Sequence, residues 1–122
     1  MPKKQKKIII VEDDPFLSKV MNSTLKDEGF EIDTASDGKA GLEKIMAGNY
    51  NLVLLDLIMP VMNGFEVLEA LNREKIKIPI LVFSNLSQQD DKTEALRLGA
   101  KDYFVKSDMS IDEVVKTVKK NV

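Results

Sequence analysis

Apolar and polar positions fall along this chain in blocks of two kinds. Short unbroken apolar runs, such as Ile8-Ile9-Ile10-Val11 and Leu52-Val53-Leu54-Leu55, alternate with longer stretches in which apolar residues recur every three or four positions. The first kind predicts strands covered on both faces, the second amphipathic helices. On this basis strands are expected at 8–11, 30–34, 52–55, 78–83 and 102–105. Asp14 before Pro15 predicts an N-cap with proline at the first helical position. Leu17, Val20, Met21 and Leu25 follow at helical spacing, and Gly29 closes that helix. A second helix is expected over 37–47, with Ala40, Ile45 and either Leu42 or Met46 turned inward. A third opens at Asn63 or Gly64 and carries Phe65, Val67, Leu68 and Leu71. A fourth is expected over 88–98, with Ala95, Leu96 and Leu98 as its apolar face and Gly99 ending it. Ser110-Ile111-Asp112-Glu113 is a capping-box pattern that opens a fifth helix with Val114, Val115 and Val118 inside. Pro79 stands at the start of its strand, where a missing N–H costs least.

Five strand–helix units in succession predict an α/β fold with a parallel sheet. Right-handed crossovers leave few topologies. Connections read as short, with no linker, repeat or second domain, so 1–122 is expected to be a single domain. Met1 and a complete fifth helix are compatible with a chain that stands alone, with one domain cut from a longer protein as the open alternative.

Composition narrows the chemistry. The chain has 122 residues, 43% hydrophobic and 31% charged, with a net charge of −2. That balance argues against nucleic acid as the main ligand, which requires a basic surface. The basic run Lys3, Lys4, Lys6 and Lys7 is expected to be solvated, with residues 1–6 a short basic tail. With neither cysteine nor histidine, disulfides, thiol catalysis, Cys/His zinc sites and imidazole bases are excluded. No apolar stretch approaches the roughly 20 residues of a membrane span. No signal peptide is visible, and the expected location is the cytoplasm with no membrane partner.

In a parallel sheet of this kind, ligands bind beyond the carboxyl ends of the strands. The polar residues that follow the strands are Glu12, Asp13 and Asp14, then Asp56, then Ser84 and Asn85, then Lys106 and Ser107. Several carboxylates brought to one edge repel each other, and a hard divalent cation relieves them. Oxygen donors without histidine point to Mg2+, with Mn2+ as the alternative. A lysine and a hydroxyl beside such a cation supply what an incoming phosphoryl group needs. Asp56, where a buried strand runs out into solvent, is placed to act as a nucleophile toward phosphorus.

Val11-Glu12-Asp13-Asp14, the segment from Asp56 to Gly64 (Asp56-Leu57-Ile58-Met59-Pro60-Val61-Met62-Asn63-Gly64), Ser84, Gly99-Ala100 and Tyr103-Phe104-Val105-Lys106 together resemble the response-regulator receiver family. The resemblance spans nearly the whole chain. Its most specific part is the D-x-x-M-P-x-x-x-G pattern from Asp56 to Gly64. It implies a flavodoxin-like sheet of order 2-1-3-4-5 with helices on both faces. It also implies that Asp56 accepts the phosphate, that Asp13 binds Mg2+ directly, and that Glu12 acts mainly through metal-bound water. The backbone carbonyl of Ile58 would be a further ligand. Ser84 would be the switch hydroxyl, Lys106 the partner of the phosphoryl oxygens, and Tyr103 the aromatic that follows Ser84. Asp14 reads first as a helix cap and second as an outer metal contact. Pro60 and Gly64 read as backbone devices, Gly64 for unusual dihedral angles.

The implied donor is a histidine kinase or phosphotransfer protein. The implied output is a protein contact through the fourth helix, fifth strand and fifth helix, from a monomer or a weak phosphorylation-dependent dimer. Phe104 lies either near that face or in the core. Apart from its own phosphorylation and dephosphorylation, such a domain is not an enzyme.

Four positions depart from the family. Ser107 follows Lys106 where proline after a cis bond is usual. A cis bond before serine would cost about 2.5–4 kcal/mol, so a trans bond and a rearranged loop are expected. Asn85 replaces a small residue, where it would either restrict access or donate a hydrogen bond. Ile58 and Leu86 are both apolar, which predicts a long-lived phosphorylated state. One rival reading is a degenerate receiver used as a scaffold. The others are an Asp-dependent phosphatase, disfavoured because Ile58 stands where its second acid would be, and a flavin carrier, disfavoured by the acidic first loop.

Overall fold

The computed structural model describes residues 5–86 and 88–122, so Lys3 and Lys4 of the expected tail lie outside the described residues. The elements run β1 (Lys7–Val11), α1 (Pro15–Asp27), β2 (Glu31–Ala35), α2 (Gly38–Ala47), β3 (Leu52–Leu55), α3 (Gly64–Arg73), β4 (Ile80–Ser84), α4 (Gln89–Arg97), β5 (Asp102–Val105) and α5 (Ile111–Asn121). The sheet has the order β2-β1-β3-β4-β5, and every pairing is parallel. This is the expected α/β architecture.

Alternation along the strands feeds two cores. Ile9, Val11, Val53, Leu55 and Val82 pack with Ile45, Val67, Leu68, Leu71 and Ala95 from α2, α3 and α4. Ile8, Ile10, Leu52, Leu54, Leu81 and Phe83 pack with Met21, Leu25, Val114 and Val118 from α1 and α5. Burying each Ile or Leu contributes roughly 1.5–3 kcal/mol, so both faces of the central strands hold the sheet. Among the described residues no helix is long and apolar enough to cross a membrane.

The caps form as the sequence predicts. Asp14 Oδ1 accepts from Phe16 N at 3.0 Å and Leu17 N at 3.3 Å. Ser110 and Glu113 complete their capping box, and Asn63 makes a second one with Glu66.

Several expectations shift. The second strand begins at Glu31, not Phe30. Gly29 takes φ +97, and Phe30 N then donates to Leu25 O, so Phe30 still belongs to the helix stop. The fourth strand begins at Ile80, not 78. Pro79 has no N–H to give the ladder, and only its carbonyl takes part, accepting from Val53 N at 3.0 Å. In α4, Leu96 is exposed while Ala95 and Leu98 are buried. In α2, Leu42 packs inward and Met46 does not. Lys7 belongs to β1 rather than to a solvated run, and its ammonium lies 4.8 Å from the centre of the Tyr50 ring. Phe104 stacks on Phe83, with ring centres 5.1 Å apart, and packs against the α1–α5 core. No cis peptide bond occurs among the described residues, and Lys106–Asp108 forms a 3-10 turn closed by Met109 N on Lys106 O.

Candidate functional site

Parallel strands deliver their last residues to one edge. Val11 of β1 lies opposite Leu55 of β3, so Glu12, Asp13 and Asp56 emerge side by side. Asp56 N donates to Val11 O, and Glu12 N donates to Ala35 O, each at 3.0 Å, which fixes both backbones. One carboxylate oxygen from each of Glu12, Asp13 and Asp56 falls within 4.8 Å of the others. Glu12 and Asp56 are buried and Asp13 is exposed.

Lys106, one residue past β5, reaches across to this group. Its ammonium pairs with Glu12 Oε1, and with Asp56 Oδ2 at 2.9 Å. Glu12 Oε2 also accepts from Asp14 N at 3.1 Å. Ile58 N donates to Asp56 Oδ1 at 3.3 Å. Glu12, Asp13, Asp14, Asp56, Ile58, Asn85 and Lys106 line an open cleft of about 260 Å3. Asp14 therefore both caps α1 and borders the cleft.

Three carboxylates face one ammonium, so the site carries excess negative charge. Burial pushes the Glu12 carboxyl up to about 7, against the lowering effect of its bonds to Lys106 and Asp14 N–H. Burial pulls the Lys106 ammonium down, but its pairs with Glu12 and Asp56 outweigh this and leave it raised. A close set of oxygen donors with surplus charge fits a hard divalent cation of the Mg2+ type.

A carboxyl whose folded pKa lies above its unfolded value keeps its proton longer in the native state. Between about pH 4.5 and 7 the native state therefore binds more protons, and stability falls as pH rises. Unfolding in chelator is expected to show a loss on the order of 2–3 kcal/mol across this window. Glu12→Gln should flatten that slope, and an unchanged slope in the variant would contradict the assignment.

Neither Ser84 nor Tyr103 is among the residues that line this cleft. Ser84 is fully buried at the end of β4, and its Oγ accepts from Leu86 N at 3.3 Å. Tyr103 is buried and its hydroxyl donates to Leu86 O at 2.6 Å. Both therefore hold the β4–α4 segment through Leu86, which is half-buried and packs against the α2–α4 core. Ile58 differs, being 55% exposed at the mouth of the cleft.

The loop after Asp56 corrects one expectation and adds a feature the sequence hides. Gly64 does not adopt a positive φ, and its value is the missing side chain. A Cβ there would overlap the Asp56 carbonyl oxygen and lie 2.7 Å from Leu57 Cα. The left-handed residue is Val61, at φ 69. Met62 N donates back to Pro60 O at 2.7 Å, so Val61 is the centre of a γ-turn. A β-branched residue in that conformation stores about 1–3 kcal/mol.

A five-stranded parallel sheet with a strand-end carboxylate, an acidic pair and a lysine in one cleft defines a domain equipped to hold a cation beside an anionic group. The chain belongs to the response regulator receiver domain family, whose model matches residues 8–119. It is 38% identical over 100 residues to the transcriptional regulatory protein DltR of Streptococcus agalactiae, covering 82% of this chain and 45% of that protein. The response regulator TrrA of Thermotoga maritima, solved in complex with Mg2+ and BeF, is 35% identical with a TM-score of 0.85, over 97% of this chain and 100% of that one. The chemotaxis protein CheY4 of Vibrio cholerae is 28% identical with a TM-score of 0.89, over 98% of this chain and 100% of that one. The chain spans about half the length of the curated relatives it matches.

Proposed function

We propose that this domain is a phosphorylation switch in which Asp56 takes a phosphoryl group from the phosphohistidine of a kinase or phosphotransfer protein. The observation that carries the reading is Asp56 itself. It is a strand-end carboxylate paired to Lys106 at 2.9 Å, in an open cleft shared with Glu12 and Asp13. In the transfer, the N–P bond of the donor breaks as an Asp56 O–P bond forms. Lys106 is placed to neutralise the phosphoryl oxygens. Asp13, Asp56 and the Ile58 carbonyl would hold Mg2+, with Glu12 acting through water; the bound cation would offset charge on the transferring group. Mn2+ would satisfy the same oxygen donors.

The switch step requires Ser84 to leave its bond with Leu86 N and turn toward the phosphoryl group, while Tyr103 gives up the Leu86 carbonyl. That exchange couples the cleft to the α4–β5–α5 face, a two-state element biased by differential contacts. The test is intact mass after incubation with acetyl phosphate and Mg2+. One added phosphoryl group in the wild type, absent in Asp56→Asn and without Mg2+, is expected. No gain in a folded wild type would leave a scaffold as the reading.

Ile58 stands at the cleft mouth and offers water no side-chain hydrogen bond. Ile58→Asn is therefore expected to speed loss of the phosphoryl group roughly tenfold, about 1.4 kcal/mol in barrier. The check is the decay of the phosphorylated mass. An unchanged lifetime would remove Ile58 from the account.

A further inference from the structure

The γ-turn at Val61 is held from outside its own loop. The first turn of α2 lies against it. Asp37 Oδ1 caps this helix by accepting from Ala40 N at 2.8 Å, which fixes where Gly38 sits. Gly38 is buried, and a Cβ built on it would overlap the Met62 carbonyl oxygen and lie 2.7 Å from the Met62 carbonyl carbon. The obstruction is backbone, so no flexible side chain can swing away. Gly38 has an ordinary negative φ and is not needed for its dihedral freedom. What the position requires is the missing side chain, so that α2 can bear directly on residue 62.

Met62 is the closing residue of the γ-turn, since its N–H bonds to Pro60 O. The base of the same loop is tied by Gly64 N on Leu57 O at 2.9 Å. Between those two ties lie Ile58 and Met59, and Ile58 N reaches Asp56 Oδ1. A strained turn persists only when its surroundings over-determine it. Here the loop supplies one constraint and α2 the other.

We propose that Gly38 is a positioning residue for the phosphoacceptor loop. By letting α2 press on the Met62 carbonyl it keeps the Val61 turn closed, and so keeps the Ile58 backbone beside Asp56 where both can share a cation. It acts through residue 62 and touches neither the cation nor the phosphoryl group. The inference rests on the functional reading above.

The test compares wild type, Gly38→Ala, Val61→Gly and the double variant by Mg2+ titration followed through amide NMR, with acetyl phosphate labelling in parallel. Gly38→Ala is expected to weaken Mg2+ binding and slow labelling about tenfold. Glycine at 61 lets the turn yield to the added methyl group without moving residues 56–59. The double variant should therefore recover to within about threefold of Val61→Gly alone. A helix defect unrelated to the loop would not be rescued in this way. Wild-type affinity in a folded Gly38→Ala protein overturns the proposal, as does a loss that Val61→Gly fails to rescue. If Gly38→Ala does not fold, the double variant decides: folding with near-normal Mg2+ binding supports the proposal, and failure to fold overturns it. A wild type that binds no Mg2+ overturns the functional reading, and this inference with it.

Discussion

Replacing Lys106 with methionine is expected to destabilise the metal-free protein by about 3–5 kcal/mol at pH 8. Methionine keeps much of the apolar stem and removes the ammonium that pairs with two buried carboxylates. Side-chain exposure is 16% for Lys106, 4% for Glu12 and 7% for Asp56, so water does little to replace it. Truncating one partner of a buried pair leaves the other charge unpaired, and here it leaves two. The loss should shrink on acidification, because Glu12 can escape by taking a proton. It should also shrink in saturating Mg2+, which supplies the missing positive charge. Urea unfolding at pH 6 and pH 8, with and without Mg2+, measures all of this. A loss under about 1 kcal/mol at pH 8 would mean that the carboxylates are better solvated than their burial indicates.

Gly64→Ala is expected to cost about 3 kcal/mol or more. The added methyl group would overlap the Asp56 carbonyl oxygen and press on Leu57 Cα and Cδ2. Two of these atoms are backbone at the end of β3, where the chain is already fixed by Asp56 N on Val11 O. Relief must come from moving the start of α3 or Asp56 itself. The melting temperature should therefore fall by roughly 10 °C, and Mg2+ binding should weaken alongside it. A variant that melts within about 2 °C of wild type would show that the loop absorbs the methyl group without displacing Asp56.

The sequence is legible where a local signal has one meaning. The ends of β3 and β5 match expectation because unbroken apolar runs stop at Asp56 and before Lys106. The Asp14 and Ser110 caps match because their side chains bond to N–H groups two or three residues away. The acidic pair, Asp56 and Lys106 could be gathered into one cleft because parallel strands must end at one edge.

The sequence is less legible where a partner decides. β1 extends back to Lys7 because Glu31 and Asn51 flank it, with Glu31 in register and the Asn51 side chain accepting from Lys7 N at 2.8 Å. Nothing in the local run of lysines signals this. Leu96 belongs by composition to the apolar face of α4, yet the helix rotation that buries Ala95 and Leu98 leaves it outward. The positive φ at Val61 could not be read, since a β-branched residue argues against it and only the surrounding packing imposes it. The same holds for Gly38, whose role appears only once α2 is seen against Met62.

Asp56 is proposed as the residue that carries the phosphoryl group, and the chemistry of an aspartyl phosphate can be read at that position directly. Borohydride reduces an aspartyl phosphate to homoserine and leaves free carboxylates untouched. Protein treated with acetyl phosphate and Mg2+, then reduced and mapped by peptide mass spectrometry, is predicted to carry homoserine at position 56 and to lose that signal when Mg2+ is omitted. Homoserine at position 13 instead, or at no position in a protein that has gained a phosphoryl mass, would contradict the account.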